Sequence, residues 1–118
     1  MVYQVFAKDV TIPSGSSTSD PIPINSLILA GIVIPSGIAG TRLGLQVRRN
    51  SADPFRLLIG ASGPIVVPIT ANSYAVFPRE VVELLRPLNA IRIITLDNSN
   101  APVNQTSTIT LRAFLAPS

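Results

Sequence analysis

Eleven prolines in 118 residues constrain this chain more than any other feature. Proline removes a backbone donor and clashes with the preceding turn of a helix. In a sheet it is confined to edges, strand starts and bulges. Elements must therefore be short and joined by turns, and a long helical bundle is excluded. The length suits a single domain, 1–118, able to bury about two-thirds of its unfolded surface without staples. Hydrophobic residues make up 47% of the chain but aromatics only 5%, so Leu, Ile, Val and Ala have to build the core.

Between the prolines the pattern alternates. Thr41 to Arg48 places Leu43, Leu45 and Val47 on one face and Arg42, Gln46 and Arg48 on the other, a half-buried strand. Ser107 to Leu115 does the same, with Ile109, Leu111, Ala113 and Leu115 inward and an apolar Phe114 in the outward row. Ala90–Leu96 is a further strand, and Leu27–Ile34 is apolar on both faces, as a central strand should be. Val2–Ala7, Phe55–Ile59, Ile65–Thr70 and Tyr74–Phe77 complete the set, with Pro68 demoting its run to an edge or bulge. Turn signals such as Pro13-Ser14-Gly15, Pro35-Ser36-Gly37 and Asp97-Asn98-Ser99-Asn100 separate them. Only Pro78–Leu85 reads as a helix, with proline at its first position. The expected fold is all-β: one β-sandwich or jelly-roll-like domain of about eight short antiparallel strands with one short helix, residues 1–8 forming an extended N-terminal strand or arm. The Ser14–Asp20 stretch reads as an exposed loop.

Cysteine and histidine are both absent. Disulfides, thiolate zinc sites, cysteine nucleophiles and histidine general bases are thereby excluded. The six acids, Asp9, Asp20, Asp53, Glu80, Glu83 and Asp97, form no close pair on a strand face. Glu80 and Glu83 share helical spacing, but two carboxylates act on a glycoside only when they flank a cleft. Asp97 to Asn100 offers oxygen ligands without the glycine and closing glutamate of a calcium loop, so turn chemistry explains it better. Gly60-Ala61-Ser62-Gly63 and Gly37-Ile38-Ala39-Gly40 fail as a serine elbow and a phosphate loop. No enzyme activity, cofactor or metal is expected. No apolar run approaches the ~20 residues that span a bilayer, and the N-terminus lacks the basic region of a signal peptide.

What remains is a surface. Charged residues are 13% of the chain and the net charge is +3, with eight arginines and the single lysine Lys8. The arginines are spread along the sequence beside apolar residues, which fits a protein interface better than a nucleic-acid patch. Few charges combined with outward apolar residues favour an oligomer over a monomer. Arg42, Gln46 and Arg48 form a polar row suited to carboxylates. With Phe114, Tyr3 and Phe6 they are the candidate interface residues. Tyr3 and Tyr74 also admit a carbohydrate-binding sandwich, although six aromatics and no tryptophan make a poor sugar platform.

The order of segments resembles that of small tailed-bacteriophage structural proteins. The residues that carry the likeness are Val10 to Ile22, with its Ser/Thr loop ending in Asp20-Pro21-Ile22; Leu29-Ala30-Gly31-Ile32-Val33-Ile34-Pro35; Leu43-Gly44-Leu45-Gln46-Val47; Phe77-Pro78; Ala90-Ile91-Arg92-Ile93; and Ala101 to Gln105 before the last strand. The likeness spans roughly residues 10 to 115. Leu45 stands where an aromatic is usual, and Asn50-Ser51-Ala52-Asp53 replaces an Asp-Gly turn. The resemblance implies a capsid cement or decoration protein on the outer capsid surface, made in the host cytoplasm and contacting the major capsid protein. A tail or head–tail component is the alternative. Capsid lattices offer threefold positions, so a homotrimer is expected, with a dimer second; neither nucleic acid nor membrane is an expected partner.

Overall fold

The computed structural model describes residues 6–24 and 26–117. Its elements are β1 (Phe6–Ile12), β2 (Ile22–Pro23), β3 (Ile28–Val33), β4 (Arg42–Arg48), β5 (Arg56–Leu57), β6 (Ile59–Gly60), β7 (Gly63–Pro64), β8 (Val66–Pro68), β9 (Tyr74–Ala75), α1 (Arg79–Leu84), β10 (Ala90–Leu96) and β11 (Ile109–Ala116). Strand accounts for 45% of the described residues and helix for 5%. One sheet has the order β1-β11-β3-β9; the other runs β2-β10-β4-β5, with β8 also paired to β4. A β6-β7 hairpin stands apart, and every ladder among the described residues is antiparallel. The sandwich-like all-β expectation is met, with more strands than the eight foreseen because several are only two residues long.

The inner faces of the two sheets share one core. Ile109, Leu111, Ala113 and Leu115 of β11 alternate with exposed Thr110 and Arg112, as the period of two requires. Val10 and Ile12 of β1 and Leu29 and Ile32 of β3 meet Leu43, Leu45, Ile91 and Ile93 from the other sheet. Each such aliphatic side chain contributes about 1.5–3 kcal/mol on burial. Leu29 and Ile32 lie three residues apart, so a regular strand would turn one of them outward. A bulge resolves the conflict. Phe114 pairs with Gly31 and Leu115 with Leu29, leaving Ala30 as the extra residue. The apolar run of β3 therefore reflects a bulge as well as its interior place between β11 and β9.

Pro68 sits opposite Arg42 at the end of β8, an edge position as expected. Pro78 caps α1 one position before its first helical residue. The expected strand Phe55–Ile59 is divided into β5 and β6. The expected strand at Val2–Ala7 lies mostly outside the described residues; β1 instead begins at Phe6 and runs through the Val10-Thr11-Ile12 that leads into the serine loop.

That loop is not the exposed segment anticipated. Ser19 N–H donates to the Ile93 carbonyl, Thr95 N–H donates to that of Ser17, and Thr18 bridges Ile94. Ser19 Oγ also accepts from Ile93 N–H at 2.9 Å. The segment is a strap laid along β10. Backbone groups make two of these bonds, and the Ser19 hydroxyl supplies one that a regular ladder would otherwise make. The Ala101 to Thr106 stretch is tied down as well. Buried Gln105 accepts from Ala39 N–H at 2.8 Å, donates back to the Ala39 carbonyl at 2.9 Å, and donates to Thr95 Oγ1 at 3.1 Å. One side chain thus ties its own loop and the β3–β4 loop to strand β10.

Candidate docking faces

On the outer side of the first sheet, Phe114, Gly31, Val33 and Tyr74 are neighbours through the β11-β3-β9 pairings. The Tyr74 ring occupies the space that a side chain at Gly31 would fill, so only glycine lets it lie against the sheet. It leans on Phe114, with ring centroids 6.0 Å apart. Tyr74 and Val76 remain more than half exposed, at 55% and 56%. Phe114 is outward-facing as expected, but half-covered by Tyr74. The patch is bordered by Asp9 and Arg112, directly opposed across β1 and β11 and 2.9 Å apart. The Arg112 guanidinium holds the Asp9 carboxyl below its ordinary value.

Phe6, 48% exposed, lies elsewhere. It lines a cleft of about 480 Å³ with Ala7, Lys8, Pro23, Leu27 and Leu115. Tyr3 is outside the described residues. A third apolar hollow, about 220 Å³, lies between the β6-β7 hairpin and α1, with Ile59 and Leu84 exposed at its rim.

The second sheet carries the arginines. Arg42, Gln46 and Arg48 do share a face of β4, at strand rise a row about 20 Å long, but they do not act as one group. Arg42 Nη1 donates to Asn100 Oδ1 at 2.9 Å, above the Asp97 turn. That turn is closed by Asp97 Oδ1, which accepts from the N–H groups of Ser99 and Ala101. At the other end Arg92, directly opposite Gln46 on β10, donates through Nε to Gln46 Oε1 at 2.6 Å. Arg48 Nε donates to Asn89 Oδ1 at 2.9 Å. The guanidinium carbons of Arg48 and Arg92 each lie 4.6 Å from the Phe55 ring centroid, within cation–π range. Desolvation first, and the charge of Arg48 second, hold the Arg92 guanidinium below its ordinary value.

Arg48 also borders a small cleft of about 110 Å³ with Arg49, Asp53 and Arg56. Arg49 pairs with Asp53 at 2.8 Å and holds its carboxyl low, with Arg56 adding a weaker attraction. Four arginines therefore gather where the sequence reads as scattered. Neither Arg92, Arg56 nor Phe55 was a candidate from the sequence. Arginines flanking Phe55 in the sequence are a weak signal; sheet pairing brings in Arg92.

The remaining acids are apart. Glu83 pairs with Arg79 at 2.7 Å on α1, and no group of three or more acidic side chains suited to a metal forms among the described residues. No helix among them is long and apolar enough to cross a membrane. Comparison with protein-family models, with curated proteins and with solved structures returns no match.

Proposed function

We propose that this chain is a structural protein of a bacteriophage virion, a cement or decoration protein that binds the outer capsid face and bridges major capsid subunits as a homotrimer. The observation that carries the reading is the outer face of the first sheet. There Tyr74, Phe114, Val33 and Val76 form an apolar surface laid flat by Gly31, on a chain with few charges. Exposed apolar surface of this kind is the mark of a contact with another chain. The residue order set out above supplies the phage context. The sandwich itself supplies rigidity, because its loops are tied to strands by the serine strap and by Gln105. In this reading the first sheet joins copies to one another and the arginine-bearing second sheet meets the capsid.

Two measurements test it. Light scattering at micromolar concentration should report a trimer, and Tyr74→Ser with Phe114→Ser should release folded monomers. Mass spectrometry of purified virions should find copies approaching the number of capsid subunits. A monomeric wild type, or only a few copies per virion, overturns the cement role, and the latter indicates a tail or head–tail part. The Tyr74 ring also favours a second reading, a glycan-binding module, because a flat exposed ring can stack on a sugar. Glycan-array binding abolished by Tyr74→Ser would establish that reading instead.

A further inference from the structure

The whole charge excess of the protein resides in one place. Arg48, Arg49, Arg56 and Arg92 against Asp53 leave three positive charges, equal to the net charge of the entire chain. Elsewhere acids and bases balance.

Within this cluster the guanidinium groups of Arg48 and Arg92 are oriented without being neutralised. Arg48 and Arg92 each spend their Nε–H on an amide oxygen, from Asn89 and Gln46 respectively. An amide fixes the plane of a guanidinium but contributes no negative charge, so the two Nη groups keep both their donors and their full charge. Phe55 adds a second constraint, holding both groups over one ring. Arg48, Arg56 and Arg92 have no ion-pair partner among the described residues. Two like charges held about one ring repel each other, and this repulsion adds to desolvation, the larger cause, in lowering the Arg92 value. A bound anion would relieve that repulsion.

We infer that Arg48 and Arg92, arranged around Phe55, with Arg56 across the adjoining cleft from Arg48, form a docking site for a short polypeptide segment carrying neighbouring carboxylates. Planar guanidinium groups bind carboxylates through two parallel hydrogen bonds. A nucleic acid fits the site less well. A polyanion needs positive charge spread along its backbone, and here the charge is confined to one spot. The local aromatic ring, which would stack a base, is already covered by guanidinium groups. The inference deepens the docking reading above and rests on it for the partner being a protein.

The test uses a fluorescein-labelled hexaglutamate peptide, a hexaglutamine control and a labelled single-stranded hexanucleotide, titrated with the full chain at low salt and followed by anisotropy. Hexaglutamate should bind, hexaglutamine should not, and the oligonucleotide should bind at least tenfold more weakly. Arg48→Gln and Arg92→Gln should each weaken hexaglutamate binding about tenfold or more with the fold retained by circular dichroism. Arg92→Lys, which keeps the charge but not the fork, should restore only part of it. Arg112→Gln, on the other sheet, should change affinity less than twofold. The inference is overturned if hexaglutamate fails to bind, if Arg112→Gln matters as much as Arg92→Gln, or if the oligonucleotide binds as tightly. Because no virion enters the assay, hexaglutamate binding alongside a low virion copy number would sink the cement reading and leave this site standing. The reverse outcome would place capsid contact on another surface.

Discussion

Replacing Gln105 offers the sharpest test of how the sandwich is held closed at its loop end. Gln105 is 2% exposed and makes three side-chain hydrogen bonds, two to the backbone of Ala39 and one to Thr95 Oγ1. At about 1 kcal/mol each, their loss removes about 3 kcal/mol, and the half-buried Ala39 groups left unpaired bring the total to about 4 kcal/mol. Such a loss is a large part of the ~5–15 kcal/mol that stabilises a typical domain. Gln105→Ala should therefore lower Tm by about 15 °C at this chain length. In urea the midpoint should fall by about 2 M with an unchanged slope. Gln105→Met separates bonding from packing, since it fills the space but neither donates nor accepts through nitrogen or oxygen. It should lose nearly as much as the alanine variant. A midpoint shift of less than about 0.5 M for Gln105→Ala, or full recovery by Gln105→Met, would refute the assignment of the stability to these bonds.

Other outcomes follow from the same geometry. A Cβ at Gly44 would stand 3.1 Å from Leu96 Cδ1 and 3.2 Å from Ile94 Cγ2, so Gly44→Ala should be nearly tolerated while Gly44→Val should cost about 1–3 kcal/mol in urea unfolding. Asp9 and Asp53 are held below the usual 3.8 by Arg112 and Arg49. As pH falls the unfolded chain therefore takes up their protons first; their contribution is present above 3.8 and lost as pH drops through the folded values. Both pairs are exposed, so the effect should be small and weakened by salt. Asp9→Asn with Asp53→Asn should flatten the urea midpoint between pH 5 and pH 3, and an unaltered profile would contradict the pairing. With neither cysteine nor histidine in the chain, a chelator should leave Tm unchanged, and a drop of several degrees would reveal a carboxylate site.

The legible strands were those with one face in the core. In β4 and β11, burial on one side and solvent on the other impose a period of two that survives in the sequence. The Ser14–Asp20 strap was illegible because hydroxyl-rich composition marks a loop, while its bonding partner is the edge of a distant strand. The bulge at Ala30 was hidden for a related reason: apolar residues on both sides of a break look like a strand buried on both faces. Of the candidate site, the sharing of one β4 face by Arg42, Gln46 and Arg48 could be read directly. The grouping of Arg48 with Arg92 and Phe55 could not. It depends on the register of β10 against β4, which no local pattern encodes.

The lone lysine has a consequence for crowded copies of this molecule. β1 is the outermost strand of its sheet, exposed from Phe6 to Asp9. At its other end Asp20 N–H already engages the Thr11 carbonyl. Lys8 lies opposite Ala113, on the side of the strand that looks toward the core. A second molecule zipping onto this margin would extend the apolar interior across the ammonium group and strand it away from water. One inward charge on a bordering strand is a standing deterrent to fibril growth. Edge-to-edge joining would add molecules without limit, whereas a contact of closed symmetry stops at a fixed number. Lys8 thereby disfavours open-ended joining through this strand even at very high local concentration.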